Sequence, residues 1–123
     1  MGRGWSNISL YYHPELKNLM DSADIAISAA GSTTYELAAC GVPSILLVVA
    51  ENQKRLAEEA EKQGIAINLG CSDKIDRNHL FLTLDVLLAD HHLRQKIACQ
   101  GQTRIDGRGA ERVAEVLLTC YEE

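Results

Sequence analysis

Hydrophobic and polar residues change their spacing several times along the first seventy positions, and these changes predict alternating strands and helices. Strict alternation over 7–12 predicts a first strand, and the helical spacing of Leu16, Leu19 and Met20 predicts a helix over 14–23. Further strands are predicted at 24–29, 44–50 and 65–69, and further helices at 31–40 and 52–63. The run 44–50 is apolar throughout, which is typical of a strand covered on both faces.

From about residue 76 onward the pattern is helical only. A strand–helix alternation with short connections followed by helices predicts an α/β fold: a Rossmann-like parallel sheet of about four strands, flanked by helices. We expect one domain over 1–123, with an all-helical tail from about 76. Sheets of this kind bind ligands at the carboxyl ends of their strands, so candidate chemistry is sought there.

Charge and composition narrow the classes of partner. The 123 residues include 12 Lys and Arg and 17 Asp and Glu, for a formal net charge of −5, which argues against binding to nucleic acid or to an anionic membrane surface. The longest apolar run, 45–50, is far shorter than the roughly 20 residues of a membrane helix, so no membrane insertion is expected. No signal peptide is recognisable, and the expected location is cytoplasmic.

The four cysteines (Cys40, Cys71, Cys99 and Cys120) form no Cys-x-x-Cys pair, and no histidines stand at ligand spacing. No metal site is therefore expected. We expect reduced thiols that are mostly buried as small hydrophobic side chains.

The turn between the predicted strand 24–29 and the following helix is the first candidate site. Gly31 allows a tight turn and a close approach to a ligand, while Ser32 and Thr33 add hydroxyls to the unpaired N–H groups of a helix start. This arrangement suits a diphosphate. The alternative is structural: Thr33 and Glu36 have the spacing of a capping box, in which Glu36 bonds to a backbone N–H. If Ser32 caps the helix instead, Glu36 is available to a ligand.

A second candidate lies where strand 44–50 meets the next helix. The side-chain amides of Asn52 and Gln53 could donate hydrogen bonds to phosphate or sugar oxygens. The alternative is that Asn52 is an ordinary helix N-cap.

These segments carry a resemblance. The run AAGSTTYEL at 29–37, the run GVPS at 41–44 and the ENQ at 51–53 resemble the nucleotide-sugar half of GT-B glycosyltransferases. Within that superfamily the chain is most similar to the UDP-sugar hydrolases of pseudaminic acid biosynthesis and their spore-coat polysaccharide relatives. The run IDGRGAERV at 105–113 also resembles this hydrolase branch. The murein glycosyltransferase branch is similar but usually has one more residue between the glycine and the glutamate.

The resemblance implies roles for the matched residues of the first turn. Gly31, Ser32 and Thr33 would cradle the diphosphate of UDP through backbone and hydroxyl donors. Glu36 would accept hydrogen bonds from the ribose hydroxyls, which suits a carboxylate because it only accepts.

The resemblance also implies roles outside that turn. Asn52 and Gln53 would approach the distal phosphate or the sugar, and the main chain near Tyr12 and His13 would lie close to the uracil. The catalytic histidine of such enzymes belongs to their N-terminal domain. No catalytic residue and no cofactor is therefore expected in this chain, which we take for part of a longer protein and a partial C-terminal domain.

Three functions follow, in order of preference. The first is the UDP-binding half of a UDP-sugar hydrolase in surface-glycan biosynthesis, either of nonulosonic acids or of spore-coat polysaccharide. The second is the donor-binding half of a GT-B glycosyltransferase, and the third a non-catalytic interaction module. The expected partners are UDP or a UDP-sugar and an N-terminal GT-B domain. A partial sheet would also leave an exposed edge, through which a homodimer could form.

Overall fold

A three-stranded parallel sheet lies at the centre of the structure, a computed structural model that describes residues 7–12, 15–106 and 108–122. Its strands alternate with helices up to residue 71, and helices alone follow. The elements in chain order are α1 (Leu16–Ser22), β1 (Ala26–Ala29), α2 (Thr33–Ala39), β2 (Ser44–Val48), α3 (Lys54–Lys62), β3 (Ile67–Cys71), α4 (Arg77–Ala89), α5 (His91–Arg104) and α6 (Gly109–Glu122). The predicted α/β class with a flanked parallel sheet is confirmed.

Strand β2 is the middle strand, paired in parallel with β1 on one side and β3 on the other. Its alternate side chains enter two separate cores. Leu46 and Val48 pack with alanines of α2 and α3, whereas Ile45 packs with Leu87 of α4 and Ile97 of α5. The uninterrupted apolar run is thereby explained, because both faces of this strand are covered by helices.

Two glycines end the helices on either side of β2. Gly41 and Gly64 have φ values of 72° and 75°, in the left-handed region that favours glycine. After α3, the N–H of Gly64 donates to the carbonyl of Glu61, and the N–H of Ile65 donates to the carbonyl of Ala60. This pair of hydrogen bonds is the pattern of a Schellman motif. Since Ile65 completes this cap, β3 starts two residues later than the predicted 65–69.

The predicted first strand at 7–12 is wrong. These residues form no ladder with any described strand, and Ile8 and Leu10 are about 60% exposed (59% and 60%). Alternation shows only that a segment could cover one face of a sheet; pairing needs a neighbouring strand with free N–H and C=O groups. The sheet therefore has three strands among the described residues, and not about four.

The tail consists of three helices with distinct surroundings. Asp76 and Asp90 cap α4 and α5 by accepting from the N–H groups of Asn78 and Leu93 at 3.1 and 3.0 Å. Helix α5 packs closely on α2, because a Cβ on Gly101 would stand 2.8 Å from the carbonyl oxygen of Ala38. By contrast, large apolar side chains on α4 and α6 remain more than half exposed: Phe81, Leu82, Val86, Leu88, Val113, Val116, Leu117 and Leu118.

The expectation that the cysteines are mostly buried is also wrong. Cys99 and Cys120 are exposed, while Cys40 and Cys71 are partly buried, and all four are free thiols. The reason lies in the helices that carry Cys99 and Cys120, since both positions fall on faces that no other described element covers. Within the described part of the chain, no group of three or more His, Cys, Asp and Glu side chains converges on a possible metal position.

Candidate functional site

The turn between β1 and α2 is tied to the sheet by backbone hydrogen bonds. The N–H of Ala30 donates to the carbonyl of Leu47 in β2 at 3.0 Å, and the N–H of Gly31 donates to the carbonyl of Ala29 at 2.9 Å. The N–H groups of Ser32 and Thr33 donate to no acceptor among the described residues. These two amides, rather than that of Gly31, are the backbone donors that the turn can offer to a ligand.

Gly31 itself does not need to be a glycine for the sake of its backbone. Its φ lies outside the left-handed region, so this turn does not use the conformational freedom that is particular to glycine. A Cβ at this position would meet only the Nε2 of Gln53, at an ordinary contact distance of 3.8 Å. Because glycine has no side chain, the space between this turn and Gln53 is open.

Gln53 lies beside Gly31 and so brings the two candidate segments together: its Nε2 is 3.8 Å from the position that a Cβ on Gly31 would occupy. The Oε1 of Gln53 accepts a hydrogen bond from the N–H of Val49 at 3.0 Å, just beyond the end of β2. Because that bond engages the amide oxygen, the Nε2 is the end that faces Gly31 and keeps its two donors. The side chain is only partly buried. Two loops that are separate in sequence therefore form one hydrogen-bonding surface at the carboxyl edge of the sheet.

The structure rules out the capping-box interpretation of Glu36. Ser32 is the N-cap residue of α2, its side chain makes no capping bond, and Glu36 is the fourth helical residue where a capping box needs the third. The carboxylate of Glu36 is exposed and has no hydrogen bond or ion pair with any other described side chain. It lies one helical turn beyond the connection between β1 and α2 (residues 30–33, the Gly31 turn), where it is available as a hydrogen-bond acceptor.

The N-cap interpretation of Asn52 is also wrong. Asn52 lies inside a short 3-10 turn over Glu51–Gln53, and the residue at the N-cap of α3 is Gln53. Asn52 is exposed. His13 lies outside the described residues, and its neighbour Tyr12 is exposed.

Two cavities flank these residues. One of about 370 Å³ adjoins Glu36 and is lined by Tyr35, Ala39 and the segment that joins α5 to α6. There the guanidinium of Arg112, on α6, and the N–H of Arg108 both donate to the carboxylate of Asp106, and they hold its pKa below the usual value of 3.8. The run 105–113 contributes to the resemblance described above, but no spacing rule predicts that it lies beside α2.

The other cavity, of about 290 Å³, adjoins Gln53 at the ends of β2 and β3. Sequence reasoning missed its polar residues Lys54, Ser72 and Asp73. Ser72 and Asp73 follow β3 directly, so the rule that ligands bind at strand ends applies to them as well. They were overlooked because β3 was predicted to end at Leu69 and in fact continues to Cys71.

A comparison with known protein families gives a match over most of the chain. The family model of the glycosyltransferase family 28 C-terminal domain matches residues 4–106. The chain belongs to this family. The fold of the family 28 C-terminal domain is Rossmann-like, in accord with the parallel sheet and its flanking helices.

Three relatives illustrate the range of this family 28 domain. The chain is 31% identical over 109 residues to the spore coat polysaccharide biosynthesis protein SpsG of Bacillus subtilis, covering 89% of this chain and 32% of that protein. It is 48% identical over 59 residues to the pseudaminic acid cytidylyltransferase and UDP-2,4-diacetamido-2,4,6-trideoxy-beta-L-altropyranose hydrolase of Helicobacter pylori, covering 45% of this chain and 11% of that protein.

The third relative is a transferase. The chain is 29% identical over 113 residues to the UDP-N-acetylglucosamine--N-acetylmuramyl-(pentapeptide) pyrophosphoryl-undecaprenol N-acetylglucosamine transferase of Acetivibrio thermocellus, covering 88% of this chain and 30% of that protein. The family 28 domain described here therefore spans about a third or less of the curated relatives it matches. None of its described helices has the length and apolar character needed to cross a bilayer.

Proposed function

We propose that this family 28 domain binds the diphosphate of a UDP-sugar between the Gly31 turn and Gln53. The proximity of these two segments carries the proposal. The Nε2 of Gln53 lies beside Gly31, and the N–H groups of Ser32 and Thr33 have no described acceptor, so two neighbouring turns both offer donors to a phosphate. Hydrogen bonds from such donors to an ionised phosphate are the strong, charge-assisted kind.

Glu36 would bind the ribose in this arrangement. Its carboxylate is exposed, unpaired among the described side chains and one turn further along α2. A carboxylate can accept from both hydroxyls of a ribose, and it would repel a phosphate, so the sugar of the nucleoside belongs at Glu36 and the phosphates at Gly31. Asn52 would approach the sugar beyond the diphosphate, and His13 remains assigned to the uracil end by the resemblance alone.

We further propose that the whole protein is a UDP-sugar hydrolase of surface-glycan biosynthesis. Two relatives named above favour this: one is named for spore coat polysaccharide biosynthesis, and the other for hydrolysis of a UDP-linked sugar. In such a reaction this domain holds the diphosphate and an N-terminal domain supplies the general base that activates water. UDP then leaves as the bond from its distal phosphate oxygen to the anomeric carbon breaks.

The second candidate is the donor-binding half of a glycosyltransferase. The family model and the transferase of Acetivibrio thermocellus favour it. The same donors would stabilise the departing UDP, and an alcohol would replace water. An interaction module needs an exposed apolar surface in place of a polar crevice; apolar side chains of α4 and α6 are exposed, yet the cavity beside Gln53 has mainly polar walls.

Calorimetric titration with UDP and with uridine tests the assignment. We expect UDP to bind more tightly than uridine, and Glu36→Ala to weaken both, because both contain the ribose. Loss of a hydrogen bond to a charged group costs about 1.5–3 kcal/mol, or about 10- to 100-fold in affinity. Glu61→Ala, the same change on the exposed face of α3, is the control. Equal affinity for the two ligands would refute the diphosphate assignment, and an unaffected Glu36→Ala variant would refute the ribose assignment.

A further inference from the structure

The cavity beside Gln53 opens at the carboxyl ends of β2 and β3 and is not needed for the diphosphate or the ribose. Its volume of about 290 Å³ lies near the lower limit of typical small-ligand pockets, about 300–1,000 Å³. Such a volume suits one small polar group better than a nucleotide. Its walls include Val49, Glu51 and Lys54 on the side of β2, and Ser72 and Asp73 on the side of β3.

Gln53 connects this cavity to the Gly31 turn. Its Oε1 accepts from the N–H of Val49, which is itself part of the cavity wall, while its Nε2 faces Gly31. The side-chain amide therefore stands between the two sites. A group attached to a phosphate at the Gly31 turn, on the side of Gln53, would enter the cavity directly.

The charges of the cavity wall leave one carboxylate uncompensated. The Nζ of Lys54 lies 3.2 Å from the Oε2 of Glu51, and this partner raises the pKa of Lys54, so the ammonium stays charged at neutral pH. Asp73, on the part of the wall that follows β3, forms no ion pair with any described residue. The wall therefore carries two carboxylates and one ammonium, together with the hydroxyl of Ser72 and backbone groups at the strand ends.

We propose that this cavity is the subsite for the sugar of the nucleotide sugar, and that Asp73 makes it select uncharged sugars over uronic acids. The proposal rests on the proposed function, because it assumes that the diphosphate lies at the Gly31 turn. Hydroxyl and amide groups of a neutral sugar can donate to Asp73 and Glu51 and accept from Lys54. A sugar carboxylate would face an unpaired like charge across a small cavity.

Competition binding with UDP, UDP-glucose and UDP-glucuronate tests this selectivity. The two sugars differ only in one group, which is CH₂OH in glucose and a carboxylate in glucuronate. We expect UDP-glucuronate to bind about tenfold more weakly than UDP-glucose, since one like-charge contact near a protein surface has an effect of that order. Raising the salt concentration should narrow the difference, because exposed charges are screened.

Variants at Asp73 locate the effect. Asp73→Asn should reduce the difference between the two sugars and Asp73→Lys should reverse it, so the ratio of the two affinities is the readout. Asp85→Asn, the same chemical change on the exposed face of α4, should alter none of the three affinities. If UDP binds and the two sugars bind equally in the unaltered protein, the sugar subsite is wrong while the proposed function stands. If UDP does not bind at all, both proposals are wrong.

Discussion

Replacing Gln53 by glutamate changes one end of its side chain and leaves the other end functional. The carboxylate keeps an oxygen that can accept from the N–H of Val49, as Oε1 does now at 3.0 Å. The NH₂ that faces Gly31 becomes an oxygen, so a donor is replaced by a partial negative charge at the same position. Because the side chain is only partly buried and its fold-stabilising bond is kept, the free energy of unfolding should change by less than about 0.5 kcal/mol.

The effect on UDP binding should be large. Loss of a hydrogen bond to a charged phosphate costs about 1.5–3 kcal/mol, and a like charge about 4 Å away in well-solvated surroundings adds about 1 kcal/mol. Together these terms amount to about 2.5–4 kcal/mol, or about 100- to 1,000-fold in the dissociation constant of UDP. Calorimetric titration measures the affinity, and thermal unfolding of the same samples shows whether the fold is unchanged.

Gln95→Glu is the matched control. Gln95 lies on α5 beside Asp24 and Pro43, at the amino end of the strands and therefore at the opposite edge of the sheet from Gln53. It introduces the same charge and should leave UDP affinity within about twofold of the unaltered protein, since exposed charges far apart are screened. If Gln53→Glu keeps both the fold and the affinity for UDP, the diphosphate does not lie between Gly31 and Gln53, and the proposed function loses its main support.

Three further predictions concern packing and assembly. Thr34→Val should leave the stability to urea unchanged or raise it by about 1 kcal/mol, because the Oγ1 of Thr34 is fully buried with no described hydrogen-bond partner; a clear loss of stability would show that the hydroxyl is satisfied. Gly101→Ala should lower the free energy of unfolding by about 1–2 kcal/mol, because the cost of its Cβ clashing with the backbone of Ala38 exceeds the roughly 1 kcal/mol gained in helix propensity. Gly109→Ala is the control: a Cβ there would have nothing within 4 Å, so the change should be neutral or stabilising. β1 has a described neighbour on one side only and Ile27 is exposed, so we expect a homodimer through this edge; light scattering that shows a monomer at every concentration would contradict it.

The sequence by itself determined the order of elements after residue 14 and the class of fold. Apolar residues at helical spacing, a continuous apolar strand and glycines after helices are local signals, and each reports a local property of the chain: which face is buried, or where a left-handed residue ends a helix. Gly41 and Gly64 end α2 and α3 for this reason. The candidate residues at strand ends were also found locally, because a strand followed by a helix start already implies the carboxyl edge of a parallel sheet.

Tertiary structure alone decided which segments pair and which side chains meet. The alternating segment 7–12 has the pattern of a strand but no partner strand among the described residues, and a strand exists only where another one supplies its hydrogen bonds. The same holds for the candidate site: Gly31 and Gln53 are separated by twenty-one residues, and only the parallel pairing of β1 with β2 brings their turns to one edge. Helix caps and turns depend on neighbours along the chain, whereas strand pairing and the meeting of loops depend on contacts across it, which no local pattern specifies.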